Sequence, residues 1–272
     1  MTQPNSPQPD PRAPGSAPTA LITGGTSGIG LATAELLGEQ GYRVFVCSRH
    51  AEDVDNVRDK LRGRGLAVDG VRADVTDPGD VADLVRAAVD AHGPIDLLVN
   101  NAGRSGGGVT AELADELWDA VLATNLTSVF RVTREVLTQG GMLERRSGRI
   151  VNIASTGGKQ GVVFGAPYSA AKHGVVGFTK AVGLELAASG ITVNAVCPGY
   201  VETPMAQRVR SGYAEHWGVS TEAVQERFEA KIPLGRYATP QEVAGLVAYL
   251  AGPAAAAITA QAINVCGGLG NY

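Results

Sequence analysis

TGGTSGIG, residues 23–30, is the stretch that decides the fold, because its glycines follow a short apolar run and lead into a helical pattern. Gly24, Gly28 and Gly30 allow a tight turn, a close approach of main-chain N–H groups to a pyrophosphate, and dense packing of a helix on a strand. A glycine triplet by itself is weak evidence, since Gly-rich turns occur in many folds. Its position between a strand and a helix favours a dinucleotide-binding turn.

Outward from this turn, short runs rich in Val, Ile and Leu alternate with longer helical segments. Such alternation is typical of successive βαβ units, in which helices cover both faces of a parallel sheet. The sequence therefore predicts an α/β fold, a single doubly wound Rossmann domain over residues 19–272 with a seven-stranded parallel sheet. The predicted strands are Ala20–Thr23, Arg43–Cys47, Ala67–Ala73, Ile95–Asn100, Gly148–Ala154, Ile191–Cys197 and Ala262–Val265.

Two segments do not fit the alternation of strands and helices. Residues 1–18 contain six prolines with Ser, Gln and Asn, and too few apolar side chains to offset the entropy lost on ordering. We therefore expect a disordered N-terminal tail at residues 1–18. Tyr200–Lys231 is too long for a plain connection, and we expect a helical lid over a site at about residues 200–231.

Composition and charge narrow the class of protein. The 272 residues are 44% hydrophobic and 18% charged, with a net charge of −4, which favours a soluble protein without a basic surface for nucleic acid. No window has the roughly 18 uninterrupted apolar residues that a membrane helix needs. The three cysteines lack CxxC spacing and the four histidines lack metal-ligand spacing. We expect a cytoplasmic protein that binds no nucleic acid, membrane or metal.

The end of the second predicted strand bears on which dinucleotide would bind. An acidic residue about 20 positions after the glycine motif would bond the ribose 2′-hydroxyl of NAD. Cys47, Ser48 and Arg49 stand there instead. Because a guanidinium attracts a 2′-phosphate and can bond it in a bidentate manner, the sequence predicts NADPH. The alternative is that Arg49 is a solvated surface cation.

Two further features belong to the predicted cofactor site. Asp74 follows the third strand and could accept a hydrogen bond from the adenine amino group, although an Asp that opens a turn is equally ordinary. The motif NNAG, residues 100–103, closes the fourth strand. Its position beside the glycine turn makes a cofactor wall the favoured interpretation.

A Tyr and a Lys four residues apart suggest catalysis. Tyr168 and Lys172 lie on one face of a predicted helix, one turn apart. A neighbouring ammonium favours the phenolate, so we expect Lys172 to lower the pKa of Tyr168 and poise it to deliver a proton. Seen alone, such a pair is more often surface decoration. Ser155 ends the fifth strand thirteen residues before Tyr168, and its hydroxyl could bond the oxygen of a bound carbonyl.

Asn125 is the fourth candidate. It lies in TNL, where it begins or interrupts a helix, and its amide could hold a water next to Lys172. The alternative is an N-cap. His173 next to Lys172 is interpreted as structural.

Together these motifs, with Pro198-Gly199, resemble the classical short-chain dehydrogenase/reductase family over nearly everything after Thr19. The resemblance implies that Tyr168 donates a proton, Ser155 orients the carbonyl, and Lys172 also binds the nicotinamide ribose. The implied catalytic set is Asn125, Ser155, Tyr168 and Lys172. The implied cofactor-binding set is Gly24, Thr26, Ser27, Gly28, Ile29, Gly30, Ser48, Arg49, Asp74, Val75, Asn101, Ala102, Gly103, Tyr168, Lys172, Pro198, Gly199, Val201 and Thr203.

Within that family, GRSGGGVTAELADELW, ASTGGKQGVV, CPGYVETPMA and CGGLGNY closely resemble the ketoreductases of type II aromatic polyketide synthases. This resemblance implies reduction of one ketone, usually at carbon nine, of a poly-β-ketone chain carried by an acyl carrier protein. It also implies a homotetramer. The implied substrate pocket consists of Ser105, Gly106, Gly107, Gln160, Val162, Met205 and Tyr213.

Two departures leave the regiochemistry and handedness of reduction open. Ser105-Gly106-Gly107 stands where a ketoreductase of this kind has a Pro-Gly-Gly motif tied to facial selectivity, and Phe164 stands where it has a histidine. A fatty-acid 3-oxoacyl-acyl-carrier-protein reductase is the nearest alternative, since it shares the catalytic residues. A catalytically silent NADPH sensor or scaffold is the alternative from another class, and it has no use for a complete catalytic set.

Overall fold

Seven parallel strands lie in the order β3-β2-β1-β4-β5-β6-β7 in the computed structural model, which describes residues 17–270 and 272. The strand order reverses between β1 and β4, which are hydrogen-bonded neighbours. In such sheets the carboxyl ends of the strands beside the reversal border a ligand crevice. The strands are β1 Thr19–Thr23, β2 Arg43–Ser48, β3 Val68–Arg72, β4 Leu97–Asn100, β5 Gly148–Ile153, β6 Ile191–Pro198 and β7 Ala262–Val265.

Ten α-helices in the described chain complete the layers around the sheet. Side chains alternate along each strand, so Ile22 in β1 packs in one core and its neighbour Leu21 packs in the other. The helices are α1 Gly28–Glu39, α2 Ala51–Arg62, α3 Pro78–His92, α4 Asp115–Leu122, α5 Ser128–Thr138, α6 Met142–Arg145, α7 Ala166–Leu186, α8 Pro204–Trp217, α9 Thr221–Glu229 and α10 Pro240–Ala251. Buried residues of α1, α2 and α10 line the first core, and those of α3 and α5 line the second.

The predicted fold class is confirmed, and each predicted strand is present with ends that differ by two residues or fewer. Residues 1–16 of the predicted tail lie outside the described residues. Ala17 and Pro18, which the prediction placed in that tail, belong to the fold instead. Their main-chain oxygens accept hydrogen bonds of 2.8 Å from the side chain and the N–H of Arg43.

The segment predicted as a helical lid contains α8 and α9. Thr203 caps α8 by accepting a hydrogen bond from the N–H of Ala206. Arg210, in α8, is buried and forms two hydrogen bonds of 2.7 and 2.8 Å with Glu202. Phe228 of α9 and aromatic rings of α8 form one cluster. The two helices therefore pack as a unit beside the carboxyl edge of the sheet.

Within residues 17–270 and 272, no helix combines the length and apolar character needed to cross a membrane. The same residues contain no group of three or more His, Cys, Asp or Glu side chains that could hold a metal ion. Cys47, Cys197 and Cys266 are buried free thiols.

Candidate active site

The glycine turn connects the end of β1 to the start of α1. Gly24 and Gly28 have φ angles of +63° and +51°, in the left-handed region that other residues rarely adopt. A Cβ on Gly30 would lie 2.2 Å from the main-chain oxygen of Gly24. Ser27 caps α1 without a side-chain hydrogen bond to the helix. The first N–H groups of α1 thus face outward from a tight turn, which is the arrangement that binds a pyrophosphate.

The NNAG segment after β4 is tied to this turn. Asn101 Nδ2 donates to the main-chain oxygens of Thr23 and Gly24, at 3.0 and 2.9 Å. Thr23 Oγ1 accepts hydrogen bonds of 3.0 Å from the N–H groups of Asn101 and Ala102. The two segments predicted to line the cofactor therefore hold each other in place at the crevice.

Arg49 and Asp74 lie just beyond β2 and β3. Arg49 is exposed, and it forms no salt bridge within the part of the chain that the structure describes. Asp74 Oδ1 accepts hydrogen bonds of 2.9 and 2.8 Å from the N–H and hydroxyl of Thr76, so Asp74 does open a turn. Burial raises the pKa of Asp74, but these bonds and the charges of Arg49 and Arg72 outweigh burial and lower it. Positive charge at this edge is therefore only partly balanced.

The other residues predicted to bind the cofactor are distributed between this edge and the core. The Thr203 methyl lies 3.1 Å from the position of a Cβ on Gly28, so the start of the lid adjoins the glycine turn. Val75 and Val201 are each 6% exposed and pack in the hydrophobic core. Of the rest, Thr26, Ile29, Ser48 and Gly199 are partly buried, Gly103 is exposed, and Pro198 is buried.

Ser155 and Tyr168 meet at the carboxyl end of β5. Ser155 follows the strand and accepts a hydrogen bond of 2.9 Å from the N–H of Gly157. Its side chain is also near enough to Tyr168, in the first turn of α7, to lower the pKa of the phenol in part. A Cβ on Gly157 would lie 3.3 Å from Ser155 Oγ and 3.4 Å from Tyr168 Cε1. The turn after β5 therefore packs closely against both hydroxyl-bearing residues.

Lys172 lies one helical turn after Tyr168 and is 5% exposed. Its Nζ is 5.8 Å from the centre of the Tyr168 ring and donates a 2.7 Å hydrogen bond to the main-chain oxygen of Ile153. Burial lowers the pKa of Lys172 from 10.5 to about 8. The structure thus brings the predicted Tyr and Lys together, with the ammonium in a buried site.

The predicted effect of Lys172 on Tyr168 is wrong. Sequence reasoning expects the ammonium to lower the pKa of Tyr168, whereas burial raises it, and the Ser155 side chain offsets only part of the rise. The physical reason is that the phenol loses solvation of its charged form, while Lys172 bonds Ile153. A neutral phenol keeps its proton at neutral pH, which suits a proton donor.

Asn125 lies in a π-helical segment, Ala123–Thr127, that interrupts the helical run between α4 and α5. Its Oδ1 accepts from the N–H of Arg104 and its Nδ2 donates to the Arg104 oxygen, both at 3.0 Å. It is an interruption of the helix rather than the N-cap considered as an alternative. Both ends of the buried amide hold the loop after β4.

Two of the predicted substrate-side segments contact each other. The N–H of Gly108 donates a 2.8 Å hydrogen bond to the main-chain oxygen of Phe164. A Cβ on Gly107 would lie 1.9 Å from that oxygen, so the approach requires glycine. Phe164 has a φ of +59°, and its ring packs edge-on against His216 of the lid, 4.9 Å between centres. The loops after β4 and β5 therefore form one wall with the lid.

The lid also bonds this wall directly. Tyr213 Oη donates a 2.8 Å hydrogen bond to the main-chain oxygen of Val163. Val162 Cγ2 lies 2.9 Å from the position of a Cβ on Gly157, beside Tyr168. The structure thus places part of the predicted pocket next to the candidate catalytic residues. Of its other members, Ser105, Gly106 and Met205 are partly buried and Gln160 is exposed.

A chain of buried polar side chains behind the site was missed by the sequence analysis. Asn100 Nδ2 donates to Thr133 Oγ1 at 3.0 Å and to Asn152 Oδ1 at 2.9 Å. Asn152 Nδ2 then donates to Thr179 Oγ1 at 2.9 Å. These bonds join β4, β5, α5 and α7, so they help to position the helix that carries Tyr168. A polar residue inside an apolar strand pattern, such as Asn152, was the available signal.

Comparison with known proteins identifies the family. The short chain dehydrogenase family matches residues 18–214. The chain belongs to the short-chain dehydrogenase family. Another member, a protein from Streptomyces virginiae assigned as a ketoacyl reductase of the monensin polyketide synthase, is 66% identical over 253 residues, which are 93% of this chain and 97% of that protein.

Solved and more distant members of the short-chain dehydrogenase family agree with this assignment. The crystal structure of an actinorhodin polyketide ketoreductase variant with NADPH has a TM-score of 0.92 and 64% identity, and the match covers 94% of this chain and 98% of that one. A 3-oxoacyl-[acyl-carrier-protein] reductase from Vibrio cholerae is 38% identical over 252 residues, 92% of this chain and 96% of its own length. The resemblance recognised from the motifs is confirmed.

Proposed function

We propose that this short-chain dehydrogenase is an NADPH-dependent ketoreductase. It reduces one ketone of a poly-β-ketone intermediate, bound to an acyl carrier protein, in aromatic polyketide biosynthesis. The observation that carries the proposal is the grouping of Ser155, Tyr168 and buried Lys172 at the sheet edge that also holds the glycine turn. A binding module or scaffold has no use for this arrangement, so the sensor alternative is disfavoured.

The residues of the glycine turn fit a dinucleotide. The outward N–H groups of α1 would hold the pyrophosphate, and the partly unbalanced charge at Arg49 would hold the 2′-phosphate. When bound, NADPH supplies the hydride. Lys172 would bind the nicotinamide ribose and Thr203 would contact the nicotinamide or phosphate end, in line with the position of Thr203 beside Gly28.

Proton delivery is the task of the chain itself. As negative charge develops on the carbonyl oxygen, Tyr168 donates its phenolic proton to that oxygen and Ser155 stabilises it with a hydrogen bond. The raised pKa of Tyr168 keeps the phenol protonated before the reaction. Lys172, with a pKa of about 8, is still mainly an ammonium at neutral pH. Asn125 completes the set as a support for the relay that returns a proton from solvent.

The substrate class rests on similarity to ketoreductases of polyketide synthases. A relative assigned to the granaticin polyketide synthase of Streptomyces violaceoruber is 62% identical over 261 residues. The wall beside Tyr168 includes Phe164 and Val162, so an apolar part of a ketone substrate would meet apolar side chains there. Reduction at carbon nine and an acyl carrier protein as partner are proposed on the same basis, as are a homotetramer and a cytoplasmic location.

A fatty-acid 3-oxoacyl-acyl-carrier-protein reductase is the second candidate function. The 38% identity to the Vibrio cholerae reductase over nearly the full chain favours it. The two candidates differ in the size of ketone that must reach Tyr168. A short linear 3-oxoacyl thioester fits both, whereas a bulky bicyclic ketone such as a decalone fits only the polyketide enzyme.

Product analysis tests the proposal. The gene is co-expressed with a minimal aromatic polyketide synthase, and the products are compared with those formed with the Tyr168→Phe variant. We expect a new alcohol at carbon nine with the parent protein and none with the variant. Purified protein that reduces a short 3-oxoacyl thioester but neither a decalone nor the polyketide would establish the fatty-acid function instead. Light scattering of the same sample measures the subunit number.

A further inference from the structure

The loop after β5 carries a lysine whose head group does not stay near the loop. Lys159 ends the short 3₁₀ turn Thr156–Gly158, and its side chain reaches over to β7. Its Nζ donates to the main-chain oxygen of Ala262 at 2.6 Å and to Asn264 Oδ1 at 2.8 Å. A third bond of 3.4 Å runs to the main-chain oxygen of Tyr272. All three N–H donors of the ammonium are thus used.

These partners are unusual for a lysine near the surface. Among the described residues no Asp or Glu side chain lies within salt-bridge distance of Lys159, and its acceptors are the oxygens of Ala262 and Tyr272 and the Asn264 amide. The aromatic ring of Tyr272 lies 5.7 Å from Nζ and adds a cation–π contact. Asn264 Nδ2 in turn donates to the Gly270 oxygen at 3.1 Å. The ammonium therefore holds β7 and the segment after it together.

That segment, residues 266–270 and 272, also contacts the end of the lid; we call it the β7 tail. The N–H of Leu234 donates a 3.0 Å hydrogen bond to the oxygen of Gly267. A Cβ on Gly267 would lie 2.7 Å from Ile232 Cγ2, and one on Gly268 would lie 3.0 Å from Pro233 Cγ. The β7 tail is therefore packed between Lys159 and the residues that follow α9.

The turn that carries Lys159 is itself packed on the catalytic candidates. A Cβ on Gly158 would lie 2.5 Å from the main-chain oxygen of Lys172, and Gly157 adjoins Ser155 and Tyr168. Gln160 and Val162, both predicted to meet substrate, follow directly in the chain. A displacement of Lys159 would therefore move the substrate-side wall that follows it.

We propose that Lys159 is a positioning residue for the ketone substrate: by binding β7 and the β7 tail, it fixes the loop after β5 relative to the lid. This inference rests on the proposed function for its substrate. Lys159 does not touch the reacting atoms, and it acts through the placement of residues 160–164, which follow it directly on the substrate side. Errors of about 1 Å in such placement can change rates by about a hundredfold, so a single anchor is sufficient to matter.

The test separates substrate binding from chemistry and from cofactor binding. Lys159→Met keeps the length of the side chain and removes its donors. We expect the KM for a decalone to rise about tenfold, kcat to change less than threefold, and the Kd for NADPH to stay within twofold. Lys159→Arg should recover part of the loss, since it keeps the charge and several donors. The control is Lys180→Met, at an exposed position of α7.

A double-mutant cycle with Asn264 tests the contact itself. Asn264→Ala should raise the KM less than Lys159→Met does, and the combined variant should be no worse than Lys159→Met alone, because both remove the same connection. Strictly additive effects would overturn the proposal. An unchanged KM in Lys159→Met, or equal losses in KM, kcat and NADPH binding with a lower Tm, would also overturn it.

Hydrogen exchange keeps this test independent of the proposed function. In Lys159→Met we expect faster amide exchange in residues 156–165 and 262–270 and parent-like exchange in β1 to β4. If the parent protein does not reduce a decalone, the proposed substrate class fails while the exchange result still tests the anchor. Unchanged exchange in both segments would overturn the anchor even in an active ketoreductase.

Discussion

The two edges of the same sheet differ in whether their charged side chains form a buried ion pair. At the amino edge, Asp96 links three strands. Its N–H donates to the main-chain oxygen of Thr19 in β1, and its carboxylate accepts a hydrogen bond from the N–H of Thr19. Asp96 directly precedes β4, and its main-chain oxygen accepts from the N–H of Arg149 in β5. Arg145 completes the arrangement with a 2.7 Å salt bridge to Asp96, and both side chains are largely buried.

The carboxyl edge holds the opposite arrangement. Ser27 caps α1 without a side-chain bond, Arg49 forms no salt bridge within the described residues, and the Lys172 ammonium is buried with an acceptor at Ile153. Burial of the Lys172 ammonium reduces the stability of the folded chain, whereas Ser27 and Arg49 are exposed to solvent. The amino edge therefore contributes to stability, whereas the carboxyl edge leaves polar groups available to bind ligands. Substitutions at the amino edge should change the free energy of unfolding, and substitutions at the carboxyl edge should change activity or cofactor binding.

The largest expected effect is on catalysis at the carboxyl edge. Tyr168→Phe removes the proton donor and keeps the ring, so kcat for ketone reduction should fall by about a hundredfold to ten-thousandfold. Stopped-flow or steady-state assays of NADPH oxidation measure this. The Kd for NADPH and the Tm should remain near the parent values. Turnover equal to that of the parent would exclude the proposed role of Tyr168.

The amino edge should respond in stability and not in activity. Arg145→Met removes one salt bridge to Asp96 from a mostly buried site, so the free energy of unfolding should fall by up to about 3 kcal/mol. Urea unfolding measures the change, and kcat/KM per folded molecule should be unaltered. The matched control is Arg86→Met, whose exposed pairing with Asp83 should contribute less than about 1 kcal/mol. Equal losses in the two variants would remove the distinction between the edges.

Cofactor preference should depend on Arg49. Arg49→Asp replaces the cation with a carboxylate that repels a 2′-phosphate and can accept from a 2′-hydroxyl, so kcat/KM for NADPH should fall about tenfold to a hundredfold relative to NADH. Kinetics with both cofactors measure the ratio. A substitution of exposed Arg86 by Asp serves as a control for net charge. An unaltered ratio would show that Arg49 is only a solvated surface residue.

The smallest effect concerns the pH dependence of stability. In the folded chain the pKa of Lys172 is about 8, below its ordinary value of 10.5. Between these two values the unfolded chain binds more protons than the folded chain. Lys172 therefore makes the free energy of unfolding rise with pH across that window. In Lys172→Met that contribution should vanish, and at pH 7 its Tm should equal or exceed that of the parent by a few degrees, although activity is lost. Calorimetry from pH 7 to 10 measures the difference between the two proteins. A Tm well below the parent at pH 7 would contradict it.

Local patterns predicted much of this molecule correctly. The strands, the glycine turn and the Tyr-Lys spacing depend on residues that are close in the chain, so periodicity and residue type were sufficient to find them. The ends of strands were predicted less accurately. The predicted fourth strand starts at apolar Ile95, but Asp96 is used for contacts at the amino edge and β4 begins at Leu97.

Other features required the positions of groups far apart in the chain. Lys159 bonds an oxygen 103 residues away, and Asn100 bonds Asn152, which lies 52 residues later. No pattern in the sequence reports such distances. The direction of the Tyr168 pKa was predicted wrongly for the same reason, because it depends on how much water the surrounding elements exclude.

By itself, then, the sequence determined the order of strands and helices, the left-handed glycines and the residues brought to the carboxyl edge. Only the tertiary structure decided which acceptor Lys172 binds, how far burial shifts the pKa of Tyr168 and Lys172, and how Lys159 joins the catalytic loop to β7. The physical reason is that backbone geometry follows from local sterics and periodicity, whereas solvation and long-range hydrogen bonds depend on everything packed around a group.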